Sequence, residues 1–135
     1  MSNRQFKFRV WDQEKNKFHT FSDFDVKIFL NGECEISSCY RGNVDLDTDD
    51  SLILQQSINL FDHNGKEIYE GDILEFFESR VSLFKGSQIF QIKYIEDLSR
   101  FILYKDSGTW WDIEKQYMNK GVIIGNIFQN LELLK

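Results

Sequence analysis

The sequence contains no proline, only two cysteines and only two histidines among its 135 residues. Without proline, its turns must come from glycine, asparagine, aspartate and serine, which favour turn conformations for different reasons. The two cysteines, Cys34 and Cys39, follow no apolar export segment, so we expect reduced thiols and a cytoplasmic location. No apolar run approaches the ~20 residues of a membrane-spanning helix, so we expect no membrane partner.

The scarcity of cysteine and histidine limits any zinc site to one set of four residues. That set is Cys34, Cys39, His19 and His63, because the chain has no others. A Cys-x4-Cys spacing lies at the loose end of what zinc sites use, and the two histidines are far apart on either side of it. We therefore expect no zinc site, and we expect Cys34 to pack as a small apolar side chain.

An acidic segment, Asp45 to Asp50, resembles the first half of an EF-hand calcium loop. Asp45, Asp47 and Asp49 match its positions one, three and five. The sixth position is aspartate where the loop needs glycine, and the twelfth is Gln56 where the loop needs a bidentate glutamate. We interpret the segment as an exposed acidic loop and expect neither a bound metal nor a cofactor.

Recognisable catalytic motifs are also missing. His63 lies beside Asp62, with Glu67, Glu70 and Asp72 close behind in the sequence. General acid–base catalysis needs a carboxylate whose pKa is shifted by burial or by a neighbour, whereas the tip of a hairpin is normally hydrated. We interpret these residues as turn formers and expect no catalytic residue. A metal-assisted hydrolase that uses these acidic groups remains an alternative.

Basic residues are outnumbered, which gives a net charge of −6. Nonspecific binding to nucleic acids depends on lysine and arginine displacing counterions, so this charge disfavours broad affinity for a phosphate backbone. One segment retains the interleaving of basic and aromatic residues that single-strand binders use. Its residues, together with two adjacent tryptophans, form the predicted partner surface: Lys93, Tyr94, Arg100, Tyr104, Trp110 and Trp111.

Aromatic residues are abundant, at 16% of the chain, and short apolar segments alternate with polar turns. Residues 6–11 alternate with period two, which predicts a strand with Phe6, Phe8 and Val10 on one face. Further strands are predicted at 18–21, 26–30, 33–36, 52–58, 73–77, 89–95, 100–104, 109–111 and 122–124. This spacing predicts a mainly β protein, either a small antiparallel barrel or a sandwich.

Little helix is expected. Residues 113–119 favour one or two helical turns with Asp112 as N-cap, or else a distorted strand, and residues 129–135 favour a single helical turn. Of the two adjacent tryptophans in the preceding strand, Trp110 and Trp111, we expect one in the core and the other partly exposed, since neighbouring side chains on a strand point to opposite faces.

The clearest turn signals lie between residues 60 and 77. Asn64-Gly65 predicts a hairpin, because both residue types tolerate positive φ, and Gly71-Asp72 predicts a second reversal. Gly125-Asn126 is predicted to end the strand at 122–124, and Asn31-Gly32 predicts another hairpin. We expect one unit, 1–135. The signal is weakest at residues 37–51, and this stretch separates the N-terminal hairpins with the acidic loop, 1–51, from the C-terminal half, 52–135.

Three segments of the sequence resemble the YopX family of short phage and prophage proteins. FKFRVWD at residues 6–12 is similar to the family's opening KFRAWD, and DHNGKEIYEGDI at 62–73 is similar to its DKNGKEIYEGDI. IGNIFQN at residues 124–130 is similar to the closing IGNIYEN. The chain departs from the family at Ile58-Asn59, where Thr-Gly is common, and at Leu131, where proline is common.

The resemblance implies a mainly β fold whose C-terminal half is an SH3-like barrel, and it implies a phage or bacterial source. It implies no particular activity. Together with the missing catalytic motifs, it favours a non-enzymatic protein that works by protein–protein contact, with copies of itself or with a host or phage protein. A single-stranded nucleic-acid-binding module is the alternative from another class.

Overall fold

The computed structural model describes residues 5–19, 25–28, 34–40, 43–47, 52–77, 80–81 and 85–135, with the backbone alone at 25–28, 34–40 and 43–47. The chain forms two compact units. One contains Phe8–Gln55, and the other contains Met1–Lys7 together with Gln56–Lys135. The predicted Asn31-Gly32 hairpin falls outside the described residues. Among the described residues, no helix has the length and apolar character needed to span a membrane.

The unit Phe8–Gln55 consists of short antiparallel strands. β1 (Phe8–Asp12) pairs with β2 (Lys17–His19), joined by a turn in which Asn16 has a φ of 54°. A separate three-stranded sheet has the order β3-β4-β5, formed by Asp25–Ile28, Cys34–Tyr40 and Asn43–Asp47. The interpretation of residues 37–51 as a loop was wrong, because β4 continues to Tyr40 and the first half of the acidic segment lies in β5.

The larger unit contains the remaining strands. β6 (Leu52–Phe61) runs into it from the smaller unit and pairs with β7 (Glu67–Tyr69) across the Asn64-Gly65 turn. The other strands form an antiparallel sheet of order β11-β10-β9-β8-β12. In chain order these are β8 (Asp72–Phe76), β9 (Gln88–Ile95), β10 (Arg100–Tyr104), β11 (Trp110–Asp112) and β12 (Val122–Asn126). The prediction of a mainly β protein is confirmed.

Among the described residues, helix is confined to three short segments. α1 (Lys115–Met118) lies between β11 and β12, and single 3-10 turns occur at Glu96–Leu98 and Leu131–Leu134. The helical alternative for residues 113–119 was therefore right, but the predicted cap was wrong. Glu114 precedes the helix without a side-chain cap, and Asp112 belongs to β11. Burial of Tyr117 and Met118 stabilises this helix, because a single turn is unstable by itself.

The core of the larger unit follows from the period-two pattern of its strands. Leu74 and Phe76 of β8 lie on the same side of the sheet as Phe90 and Ile92 of β9, since alternate residues of a strand point to the same side. The Phe76 and Phe90 rings meet edge to face with their centroids 6.1 Å apart. The buried cluster comprises Ile68, Leu74, Phe76, Val81, Phe90, Ile92, Leu103, Tyr117 and Met118.

Two burial predictions were wrong for reasons of local geometry. Phe6 lies before β1 rather than within it and is 61% exposed, so the alternation expected for residues 6–11 does not extend over the whole segment. Trp11, instead, is buried and packs edge to face on Phe18. Neither Trp110 nor Trp111 is in the core, because their strand is the last in its sheet.

Candidate functional site

The Asp62 carboxylate, the strongest catalytic candidate beside His63, is fully occupied with backbone hydrogen bonds. Its Oδ1 accepts from the Asn64 and Lys66 N–H groups at 2.9 and 2.8 Å, and its Oδ2 accepts from the Ile123 N–H at 3.0 Å. Asp62 is buried, whereas His63 is exposed. The carboxylate thus holds the hairpin closed and joins it to β12, and it does not contact the imidazole through any of these bonds.

The hairpin differs in detail from a two-residue turn. Gly65 has a φ of 79°, but Asn64 does not have positive φ. The Gly65 N–H donates to the Asp62 carbonyl at 3.0 Å, and the Asp62 N–H donates to the Lys66 carbonyl at 2.8 Å. The expectation of positive φ at both residues was therefore wrong at Asn64, because the reversal is a wider loop with glycine in the left-handed position.

The Gly71-Asp72 corner joins several elements of the larger unit. Gly71 has a φ of 84°; its N–H donates to the Ile92 carbonyl at 2.8 Å, and its carbonyl accepts from the Ile127 N–H at 2.9 Å. Asp72 Oδ2 accepts from the Tyr69 N–H at 2.8 Å. The corner thus connects β9 to the C-terminal segment.

Asn126 closes that C-terminal segment in a similar way. Its Oδ1 accepts from the Phe128 and Gln129 N–H groups, each at 3.0 Å. β12 extends through Gly125 to Asn126, with a bulge between Ile123 and Gly125, so the strand ends later than predicted. Gly125 lies against the Asn130 side chain, where an added Cβ would be 2.5 Å from Asn130 Oδ1.

In the smaller unit, Asp12 and His19 form a buried pair. His19 Nε2 lies 2.7 Å from Asp12 Oδ2, and Asp12 Oδ1 accepts from the Glu14 and Lys15 N–H groups at 3.0 and 2.9 Å. Burial by itself raises the pKa of the Asp12 carboxyl, but these hydrogen bonds and the nearby imidazole outweigh it and lower the pKa below 3.8. The pair stabilises the β1–β2 turn.

Glu67 also has a lowered pKa. Burial raises the pKa, but hydrogen bonds from Lys7 Nζ and the Tyr69 hydroxyl, both at 2.9 Å, outweigh it and bring the pKa below 4.5. This ion pair fastens the N-terminal segment to β7. The Ser57 N–H also donates to the Lys7 carbonyl at 2.8 Å, so Lys7 is held at two points.

Four residues of the predicted partner surface share one face of the five-stranded sheet. Strand register aligns Gln91 with Tyr104 and Trp110, and it aligns Lys93 with Ile102 and Asp112. Residues in register across an antiparallel sheet lie on the same face. We call this the aromatic face and define it by five residues: Lys93, Arg100, Tyr104, Trp110 and Asp112.

Cations on the aromatic face lie over aromatic rings. Lys93 Nζ is 4.3 Å from the Tyr104 ring centroid, and the Arg100 guanidinium carbon is 5.5 Å from the Trp110 ring centroid. Arg100 also forms an exposed ion pair with Asp112, with 3.0 Å between Nη2 and Oδ1. Sequence reasoning missed Asp112 as a member of this surface, although its place two residues after Trp110 in a strand was a signal for it.

Tyr94 and Trp111 lie on the opposite face of the sheet. Tyr94 aligns with Phe101, and Trp111 aligns with the core residue Leu103. Tyr94 and Trp111 are both exposed, at the rim of the core. Trp111 is 39% exposed, and its neighbour Trp110 is 45% exposed. The predicted surface is therefore divided between two faces, which meet at the edge strand β11.

A cavity of about 560 Å³ opens beside Tyr94. Two of its walls are the Tyr94 and Phe101 rings, which meet edge to face with centroids 5.1 Å apart. The remaining lining residues are Phe6, Gln56, Glu70, Ser99 and Arg100. This combination could not be predicted from the sequence, because its members come from five separate segments of the chain.

Among the residues whose side chains the structure describes, no group of three or more His, Cys, Asp or Glu is placed to hold a metal ion. The structure does not describe the side chains of Cys34, Cys39 and the acidic segment.

Comparison with known proteins identifies the family. The family model described as YopX protein matches residues 7–135. The chain belongs to the YopX family. No curated protein matches this YopX family member. The resemblance of its three sequence segments to the family is thereby confirmed.

Two solved structures are similar to this YopX family member over almost their whole length. One is protein YopX from Bacillus subtilis, with a TM-score of 0.65 and 21% identity over 95% of each chain. The other is protein EF1440 from Enterococcus faecalis, with a TM-score of 0.62 and 26% identity over 98% of this chain and 100% of that chain. The YopX family fold thus extends across both units of the chain.

Proposed function

We propose that this YopX family protein is a non-enzymatic module that works by protein–protein contact through β11 and the aromatic face. The observation that carries the proposal is the exposure of both Trp110 and Trp111 on a three-residue strand at the end of its sheet. Within the described part of the chain, β11 pairs with β10 alone. A second strand would pair with the backbone groups of Trp110 and Asp112, because alternate residues of an antiparallel strand direct these groups to opposite sides and Trp111 faces β10.

Tryptophan exposed in this way favours a protein partner. Burying a large aromatic side chain contributes about 1.5–3 kcal/mol, and tryptophan and arginine are the residues most enriched at the energetic centres of interfaces. The Arg100 guanidinium already lies over the Trp110 ring, with the guanidinium carbon 5.5 Å from the ring centroid. Their arrangement is organised before binding, so little side-chain entropy is lost when a partner docks.

The partner that the surface fits is a second copy of the same chain. A two-fold interface joins identical patches, so the patch must carry complementary charges. The exposed Arg100–Asp112 pair supplies both signs beside the edge strand. In a symmetric dimer, each Arg100 has the other copy's carboxylate within its reach as well as its own.

Sedimentation velocity on the pure protein at increasing concentration tests the proposal. We expect a concentration-dependent shift from monomer to dimer that is lost when Trp110 and Trp111 are both changed to alanine. Phe61→Ala is the matched control, because Phe61 is an exposed aromatic residue on β6, outside this surface. A strict monomer that also retains no protein from a host lysate contradicts the proposal, as does an equal loss of association in the control.

A second candidate function is binding of single-stranded nucleic acid, which is favoured by one observation. Lys93 with Tyr104, and Arg100 with Trp110, place two cations and two rings on one face. Such a surface stacks bases and contacts phosphates. This candidate predicts oligonucleotide binding that weakens steeply as salt increases. Absence of binding at low salt eliminates it.

A further inference from the structure

The cavity beside Tyr94 is built by hydrogen bonds that bring distant segments together. The Gln56 N–H donates to Glu70 Oε1 at 2.9 Å, and the Glu70 N–H donates to the Gln56 carbonyl at 2.9 Å. These two bonds fix the glutamate at the wall of the cavity. Phe6 is placed there because its neighbour Lys7 is held by the Ser57 N–H and by Glu67. The cavity thus has a fixed polar wall.

Its remaining walls are aromatic. Tyr94 and Phe101 meet edge to face, and Phe6 adds a third ring that is 61% exposed. Its volume of about 560 Å³ lies within the range of about 300–1,000 Å³ that ligand sites occupy. Three aromatic residues therefore line one open space, and the π faces of aromatic rings attract cations, above all alkylated ammonium groups.

The charges at the rim favour the same ligand. The Glu70 carboxylate is the anionic group of the lining, and the chain as a whole carries a net charge of −6. Arg100 also lines the cavity, but its guanidinium pairs with Asp112 at 3.0 Å and lies over Trp110. An anionic ligand would have to compete with Asp112 for that guanidinium. A cation meets the Glu70 carboxylate and three aromatic residues.

We infer that this cavity binds an organic ammonium ion, with Phe6, Tyr94 and Phe101 around the alkylated nitrogen and Glu70 as its counter-ion. The inference does not depend on the proposed contact through β11. The same chemistry is offered by a free quaternary ammonium compound and by the side chain of a lysine on another protein. The two sources are distinguished by the probes below.

Three probes of matched shape test the charge requirement: choline, its neutral analogue 3,3-dimethylbutanol and the anion 3,3-dimethylbutyrate. Binding is followed by NMR chemical-shift changes at Tyr94 and Phe101. We expect choline to bind at least tenfold more tightly than either analogue. A neutral or anionic probe that binds as well as choline overturns the inference, as does the absence of shifts with all three. Nα-acetyl-lysinamide and its ε-trimethylated form then compare the protein-borne source with choline.

Two variants separate the charge from the rings. Glu70→Gln keeps the Oε1 acceptor for the Gln56 N–H, so the fold is retained while the charge is removed. We expect it to weaken choline binding at least fivefold and to leave the neutral probe unchanged. Tyr94→Leu removes a ring but keeps an apolar side chain, and we expect a similar loss. Phe61→Leu, outside the cavity, is the control. Choline affinity unchanged in both cavity variants overturns the inference.

Discussion

The Asp62 carboxylate accepts a hydrogen bond from the Ile123 N–H, 61 residues further along the chain, at 3.0 Å. The bond joins the hairpin loop to β12. It is reinforced nearby, because the His63 N–H donates to the Gly121 carbonyl at 2.8 Å. A buried carboxylate of the central family segment, 62–73, therefore holds the start of β12 just before the closing segment, 124–130, and its role is structural.

Asp62→Ala is expected to destabilise the protein by about 3 kcal/mol or more, because three backbone N–H groups lose a buried acceptor. Asp62→Asn retains one acceptor oxygen and is expected to lose less, about 1–3 kcal/mol. Urea unfolding measures both losses of stability from the shift of the transition midpoint, provided that the dependence of the unfolding free energy on urea concentration is unchanged. Asp97→Ala, at an exposed acidic residue, is the control and should change stability by no more than about 0.5 kcal/mol. Equal stability of Asp62→Ala and this control contradicts the structural role.

Gly121 is predicted to tolerate no side chain because of its close contact with Phe76. A Cβ added there would lie 2.7 Å from Phe76 Cε1, and the ring is fully buried. Gly121→Ala should cost about 1–3 kcal/mol of stability through overpacking. In a Phe76→Leu background the same substitution should cost less, and a double-mutant cycle measures this coupling. Additive effects of the two substitutions would mean that the contact is not what restricts Gly121.

The Lys7–Glu67 ion pair is predicted to make stability depend on pH in the acid range. The folded-state pKa of Glu67 is below 4.5, so the carboxylate contributes stability above that pH, and the contribution is lost as pH falls through the folded-state pKa. Because Lys7 is 43% exposed, the contribution is at most about 1 kcal/mol. Glu67→Gln should therefore be less stable than the native protein at neutral pH and converge with it in acid. A difference that stays constant or grows on acidification refutes this.

Substitution of Gly65 is predicted to cost stability through backbone strain alone. Its φ is 79°, and an added Cβ would meet nothing within 4 Å. Gly65→Ala should cost about 1–2 kcal/mol, because the left-handed conformation is unfavourable for an L-residue with a Cβ. Gly65→Asn should cost less, since asparagine tolerates this region. Thermal or urea unfolding compares the two, and an alanine variant as stable as the native protein would mean that the loop relaxes to another conformation.

Features of the fold that depend on neighbouring residues could be predicted from the sequence. The Asn64-Gly65 loop, the strand at 100–104 and the helical turn after residue 113 each have a local cause in turn chemistry or period-two patterning. Strand β5 was missed although Val44 and Leu46 alternate with polar residues, because the acidic run that overlaps it was interpreted as a loop.

The candidate sites depend more on tertiary structure. Strand alternation alone places Lys93, Arg100 and Tyr104 relative to one another, but the exposure of Trp111 depends on β11 being last in its sheet. The cavity beside Tyr94 was harder still to predict from the sequence. Glu70 was visible in the sequence only as part of a turn, and its place beside Tyr94 follows from the Gln56 hydrogen bonds.

Amide hydrogen exchange at Trp110, Trp111 and Asp112, compared between dilute and concentrated protein, tests the proposed contact most directly. β11 ends its sheet, so self-association through it should bury both the backbone amides and the two rings. We predict that exchange at Trp110 and Asp112, whose N–H groups face away from β10, slows as concentration rises, while exchange at Trp111, which faces β10, and at the exposed hairpin residue His63 is unchanged. Equal exchange at β11 in dilute and concentrated protein would contradict self-association through this edge.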